Sequence, residues 1–506
     1  MDTQTVLSWL IASVYFAFLL WIGIWASRKI KDFRSYIIAG RNLGFWLFTI
    51  LIVASCMSGM TILGASGLGY IAGWPTIWEQ IFVPLCCAVT ISLYGSKLHR
   101  IASKNGYLTL QDYFAHRFES PRLIRGITGF SVFSVSLIYL VGQYTAVGIT
   151  LQRVLHLSYP TAVVIGAVIV TTYVFFGGLY AVSWTSLVQG IILVGGVLIV
   201  APVIIYKAGG LTHINQTLFS IDPNMVGAAY PQVHPPYANY AFMTPVFIIS
   251  FAILLSLGLA SAPHVINNVL AARKNSYFKW SPLAAFSIYI IIFYLIKIVG
   301  FAARTMVADG KLTLPSGVAN PQDFCFIVAV EHTFGPFMWT FFGMIVLAAV
   351  MSTTDRLLLT IGTSFGWDFY RNLLNPGASD RSVTRVSRIV VFVSAVISIL
   401  LALHPPKLLA WLIWMGIGVM LCTFVAPILA GLYWKRANRS GAVWSMIAGF
   451  LSALVFGYIG KYITQLPFHF SFIPFFISII VLIIVSLCTA TPDEKVIKET
   501  ETGLTF

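Results

Sequence analysis

Apolar runs of about 20 residues, each long enough to cross a hydrocarbon layer of about 30 Å as a helix, follow one another along almost the whole chain, separated by short polar connections. Read end to end, they predict thirteen spans, at roughly 6–26, 44–72, 76–96, 126–150, 160–182, 186–206, 240–262, 281–303, 336–366, 389–403, 408–432, 441–460 and 469–490. The connections leave no room for a sizeable soluble domain. The pattern therefore predicts an all-α polytopic membrane protein, with one transmembrane domain over 1–490 and a polar tail over 491–506. Two longer hydrophilic connections, 207–239 and 304–335, are expected to form short surface helices or lids.

Small residues and helix breakers interrupt the apolar pattern at two places. One is VASCMSGMTILGASG (53–67) in the second span; the other is SLGLASAPH (256–264) in the seventh, five spans later. Such residues often just let helices pack closely. Matching interruptions also mark broken helices in transporters built from repeats, where unwound backbone frees carbonyls and amides to bind ions and solute.

Charges inside the spans are few, and each needs a partner or a function because burial in lipid costs about 2.5–3.5 kcal/mol even on lenient insertion scales. Glu79 and Asp355 are the acids within spans, Lys297 and Arg356 the bases, and His264 follows the second interruption. In LAAVMSTTDRLLLT (347–360), Ala349, Ser352, Thr353 and Arg356 share one helical face, with Asp355 nearby. Two adjacent hydroxyls opposite an unwound span suit a hard cation that takes neutral oxygens; alternatively they bond back to the preceding turn. Arg356 is expected either to form an intramembrane charge pair with Asp355 or to turn toward a cytoplasmic cavity. An unpaired positive charge there would oppose a bound cation. Lys297 is expected to be structural or to snorkel.

Charge distribution settles what the formal net charge of +15 is for. With the N-terminus outside, 23 of 31 Lys and Arg fall on the cytoplasmic side, and six fall outside, at Arg153, Lys207, Arg304, Lys311, Lys407 and Lys461. The positive-inside rule thus predicts N-out, C-in, in the plasma (inner) membrane of the cell, and the basic excess orients the chain rather than binding nucleic acid. The first run lacks a basic n-region and a cleavage site, so it reads as a retained span. The six cysteines show no metal-ligand or disulfide spacing and read as small packing residues.

Several segments carry a family likeness. GGLYAVSWTSLVQ (177–189), AAVMSTTD (348–355), ASCMSGM (54–60) and IIAGRNLG (37–44) resemble motifs of the sodium:solute symporter family. The resemblance implies a leucine-transporter-type fold of two inverted five-helix repeats, over about 44–206 and about 240–432, working by alternating access. It further implies a sodium site at Ala54 and Met57 of the second span and Ala349, Ser352 and Thr353 of the ninth. Two departures matter. Ser186 stands where many members have the Asp of a second sodium site, which favours one sodium per cycle, and Cys56 stands where proline-type members have Asp.

GGLTHINQTLFSIDPNMV (209–226), PPKLLAWL (405–412), LAGLYWKRANRSGA (429–442) and APHVINN (262–268) look most like the sodium/pantothenate branch. The expected function is therefore sodium-coupled symport of a small organic solute, with an organic monocarboxylate such as pantothenate first. A neutral solute such as a sugar, or proton coupling, remains as the alternative. Thr61, Glu79, Gln143 and His264 are the candidate solute contacts, although Glu79 would oppose an anion unless protonated. A membrane enzyme would need a catalytic cluster, a sensor an output domain and a channel a continuous polar lining; the sequence offers none of these. Sodium, the solute and the bilayer are the expected partners, with no oligomer required.

Overall fold

The computed structural model describes residues 3–30, 32–231, 242–316, 320–404 and 409–500. Lys407 and the last residues of the tail, named above, lie outside them, as do parts of the connections expected over 207–239 and 304–335. The described chain is helical, with one isolated bridge, Leu43 to Ala272, and no strand among the described residues.

The principal helices are α1 (Thr3–Ser27), α2 (Phe45–Cys56), α3 (Thr61–Ala72), α4 (Trp74–Asn105), α5 (Leu123–Leu155), α6 (Tyr159–Lys207) and α7 (Pro245–Ser261). They continue with α8 (Pro263–Ala271), α9 (Tyr277–Ala308), α10 (Met338–Leu374), α11 (Asp380–Ala402), α12 (Ile413–Tyr433), α13 (Arg439–Tyr462) and α14 (Phe472–Cys488). Nine described helices are long and apolar enough to span a membrane, and up to eleven spans result if each of two bent pairs counts as one. Two features account for the difference from thirteen. Helix α6, 49 residues long, covers two predicted spans and turns at Gly178, whose φ of 50° and ψ of −152° favour a residue without Cβ. Helix α14 has only 17 residues. Short helices at Gly210–Ile221 and Pro223–Val226 lie in the first long connection, as its composition suggested.

Both sequence interruptions are real breaks. Helices α2 and α3 meet at 62°, and α7 and α8 at 52°. In the first, Met57 is extended, with φ −80° and ψ 123°. In the second, Ala262 is extended (φ −59°, ψ 128°) because it precedes Pro263, whose ring excludes helical backbone before it and whose missing N–H costs nothing at a helix start. Backbone unwound at this depth must find polar partners within the protein. Around the first break Gly59 N donates to Gln143 Oε1 at 3.0 Å, Ser58 N to Thr61 Oγ1 at 2.8 Å, and the Tyr289 hydroxyl to Cys56 O at 2.9 Å.

Helix α10 runs through the middle, packed on α5 and α6, and its most apolar window is 100% buried, so its polar residues face protein rather than lipid. Helices α3 and α9 touch closely: a Cβ on Gly300 would stand 2.1 Å from the Ser66 carbonyl oxygen. The lipid-facing belt is apolar, as on α11, where Ile389, Phe392, Val396 and Leu400 are exposed. At the C-terminal end of α10, Arg125 bridges Asp112 (2.7 Å) and Asp368 (2.8 Å), tying α5 to α10.

Candidate functional site: an oxygen cage at the broken helix

Helix α2 ends where its carbonyls become useful. In an uninterrupted helix Ser58 N would bond to Ala54 O; here it is taken by Thr61 Oγ1, which leaves the Ala54 carbonyl free to point across to α10. Ser352 Oγ lies 3.3 Å from Ala54 O and 2.9 Å from Ala349 O. Thr353 Oγ1 lies 3.3 Å from Ala54 O and in close contact with Met57 O. All five residues are buried.

The chemistry of this cluster follows from counting protons. Four hydroxyl–carbonyl contacts converge, but two hydroxyls bring only two protons. Lone pairs are therefore in excess in a buried place, the environment a dehydrated hard cation stabilises. Oxygen ligands at about 2.3–2.6 Å from such a cation stand roughly 3–3.6 Å from one another, and both hydroxyl oxygens stand 3.3 Å from Ala54 O. Beside the cage opens an apolar cleft of about 360 Å³, lined by Ile50, Val53, Met57, Gln189 and Ser352 among others.

The four candidate solute residues do not form one group. Gln143 and Thr61 hold the unwound backbone, as described, and Thr61 Oγ1 also lies 3.2 Å from the Tyr289 hydroxyl. Glu79 does not stand free toward a solute cavity: it is ion-paired with Lys297 at 3.0 Å, both side chains fully buried. His264 sits one residue past the start of α8, its ring edge-on to Tyr139 at 5.5 Å, and neither ring nitrogen has a hydrogen-bond partner among the described residues.

The expected charge pair of Asp355 and Arg356 is not formed. Asp355 Oδ2 accepts from the Tyr173 hydroxyl (3.2 Å) and Thr185 Oγ1 (3.4 Å) on α6. Arg356 Nη2 instead donates to Val182 O (3.4 Å) and to Ser186 Oγ, while the rest of the guanidinium lines a small cavity with His264. Consecutive helical residues point about 100° apart, so the two side chains leave α10 on different bearings. The guanidinium thus stands one turn beyond the cage.

Sequence reasoning missed three further arrangements. Pairing Glu79 with Lys297 was available by elimination, since they are intramembrane charges of opposite sign. Tyr289, which closes over Cys56 O, carried no signal in its own neighbourhood. Cys56, Cys86 and Cys87 bring their sulfurs within 4.8 Å of one another, with Cys56 and Cys86 at 3.3 Å; thirty residues separate them, which no local spacing reveals.

A buried helical bundle with two broken spans, and a carbonyl–hydroxyl cage between the first break and a facing helix, defines a secondary transporter of the leucine-transporter fold class. A solved structure of a Na+-coupled sialic acid symporter in a substrate-bound outward-open state shares the fold, with a TM-score of 0.79, 19% identity, and coverage of 96% of this chain and 98% of that one. The sequence profile of the Sodium:solute symporter family matches residues 36–449, and the chain belongs to that family. It is an integral multi-pass protein of the plasma membrane, and its family is one of sodium:solute symporters, not of enzymes.

Among relatives, the Sodium/proline symporter of Escherichia coli (strain K12) is 28% identical over 459 residues, covering 89% of this chain and 88% of that one. The Sodium/pantothenate symporter of the same organism is 23% identical over 439 residues, covering 86% and 87%. The pantothenate branch is thus among the relatives, but overall identity does not single it out.

Proposed function

We propose that the chain couples sodium, held by Ala54, Met57, Ala349, Ser352 and Thr353, to uptake of a small organic monocarboxylate such as pantothenate. Two inverted repeats, about 44–206 and about 240–432, would alternate access to a site at the two breaks. The observation that carries this reading is the cage itself: its oxygens come from two elements, α2 and α10, that belong to different repeats. A cation bound there ties one repeat to the other. Sodium then favours the conformation in which these elements are together, and coupling is the difference in sodium affinity between conformations.

A carboxylate is favoured by the chemistry of the named solutes. Pantothenate, proline and sialic acid, which the relatives and the structural neighbour are named for, all carry one. Proline is the second reading, supported by the higher identity of that relative; Cys56, where proline-type members have Asp, speaks against it. Ser186 in place of a carboxylate, with Arg356 against it, supports one sodium per cycle.

The test is a thermal-shift screen of the purified chain with small carboxylates, sugars and amino acids, each in sodium or in potassium, followed by uptake of the hits into proteoliposomes. The expected hit is a monocarboxylate that stabilises only in sodium. Stabilisation equal in potassium, with uptake driven by a pH gradient alone, would replace sodium by protons.

A further inference from the structure

Beyond the sodium cage, one face of α10 continues toward the end assigned to the cytoplasm through Arg356, Thr360 and Thr363, at spacings of four and three residues. These residues meet His264 and Asn268 of α8, and Leu179 at the start of the second arm of α6, around a constricted cavity with room for about one water molecule. Two polar side chains there are buried and incomplete. Arg356 is 1% exposed, and its Nε and Nη1 have no acceptor among the described residues; only Nη2 is held, by Val182 O and Ser186. His264 is also 1% exposed, and neither of its ring nitrogens is bonded among the described residues. Asp355 balances the guanidinium in formal charge but accepts its hydrogen bonds from Tyr173 and Thr185 of α6.

We infer that Arg356 and His264 form a binding site for the carboxylate group of the transported solute, on the inward path beyond the sodium cage. A guanidinium is always protonated and keeps every N–H as a donor. Buried with two nitrogens unmatched, it calls for an anionic acceptor, and a carboxylate is the oxygen anion its geometry serves best. His264 supplies a further donor from the opposite wall.

Three features connect the site to transport. It adjoins the cage through a short bridge, in which Asn268 Nδ2 donates both to Ser55 Oγ (2.9 Å), next to Ala54, and to His264 O (2.8 Å). It is built between α8 and α10, which belong to the repeat opposite α2, so movement at the break beside Pro263 changes its width. And its charge suits symport: one sodium and one carboxylate arriving together leave the net charge around Asp355 and Arg356 unchanged. In the conformation described the cavity is too narrow for a carboxylate. The site would therefore be used as the inward path widens, receiving the anion while sodium still occupies the cage.

This inference rests on the carboxylate reading above, and its experiment separates the two. Purified full-length protein and proteoliposomes are tested with acetate, pyruvate, proline and pantothenate, and with the neutral counterparts acetamide and pantothenol, in sodium and in potassium. A chloride-against-methanesulfonate arm is run without any carboxylate. The native chain should respond to at least one carboxylate and not to its neutral counterpart. Arg356→Gln should lose that response, or raise its half-saturating concentration tenfold or more, while keeping sodium-dependent stabilisation; Arg356→Lys should fall between, and His264→Gln should weaken it less.

A carboxylate response unchanged within twofold in both Arg356→Gln and Arg356→Lys overturns the inference, and so does a native chain that answers only neutral solutes or no carboxylate at all. Arg356-dependent stabilisation by chloride to which no carboxylate adds would make this an inorganic-anion site and also overturn it. Loss of sodium dependence with an intact Arg356-dependent carboxylate response would instead refute sodium coupling alone. If Arg356→Gln does not fold, Arg356→Lys, which keeps the charge but not the planar fork, still decides the matter.

Discussion

Removing one hydroxyl from the cage is the most direct perturbation of the coupling mechanism. Thr353 Oγ1 reaches both Ala54 O and Met57 O across the α2–α10 gap, so Thr353→Ala deletes one of five oxygens and also the one hydroxyl among the described residues that contacts the Met57 carbonyl. A hydrogen bond to a charged partner contributes about 1.5–3 kcal/mol, against about 1 for a neutral one, and a buried cation–oxygen contact belongs with the charged kind. At about 1.4 kcal/mol per factor of ten, Thr353→Ala should raise the sodium concentration for half-maximal uptake by about 10- to 150-fold. Thr353→Ser, which keeps the oxygen, should stay within a few-fold.

Linkage makes the experiment sharper than an activity loss. If the hydroxyl acts on sodium alone, the solute's half-saturating concentration should be raised at low sodium and return to the native value once sodium is saturating. Initial rates in proteoliposomes across a grid of sodium and solute concentrations read both quantities. An unchanged sodium requirement in Thr353→Ala and in Thr353→Ala/Ser352→Ala would refute the assignment of the cage. A solute constant that stays high at saturating sodium would show that the hydroxyl serves the solute instead.

The Glu79–Lys297 pair is fully buried, so Glu79→Gln or Lys297→Met alone should destabilise the protein by about 3–5 kcal/mol by stranding the other charge, whereas Glu79→Gln/Lys297→Met should recover most of that loss; melting temperatures of the three variants in detergent check it. Gln143→Leu removes the acceptor of Gly59 N and should cost about 1–3 kcal/mol, visible as a lowered melting temperature even without sodium, while Gln143→Glu, which still accepts, should cost less on that account. Gly300→Ala would bring a methyl group to 2.1 Å from Ser66 O and force α3 from α9; it should lower both folded yield and transport, and native behaviour would show that the two helices are not in the contact described.

How much of the site was legible in sequence differs from residue to residue. The cage was, because its signal is local: a broken helix declares itself in small residues and Pro263, and a Ser-Thr pair inside an apolar run declares itself by its polarity. The resemblance then placed the two opposite each other. Of the two expectations for Arg356, the pair with Asp355 is not formed, since helix geometry turns neighbouring side chains apart, and the side chain turns instead to a small cavity. The roles of Gln143 and Thr61 were polar-cavity guesses in sequence and backbone supports in the fold. A side chain's type tells that it needs a partner, not which partner it finds.

Residence in the membrane, the places where helices break and the presence of a hydroxyl pair were determined by the chain itself, through hydrophobicity and backbone stereochemistry acting over a few residues. Only the tertiary structure decided that Glu79 meets Lys297 across 218 positions, that three distant thiols gather, and that Arg356 turns to Ser186 and shares a cavity with His264. The physical reason is range. Burial and propensity act on a residue through its own chemistry, whereas a hydrogen bond or ion pair exists only within a few ångströms, and which groups come that close is set by how the helices pack.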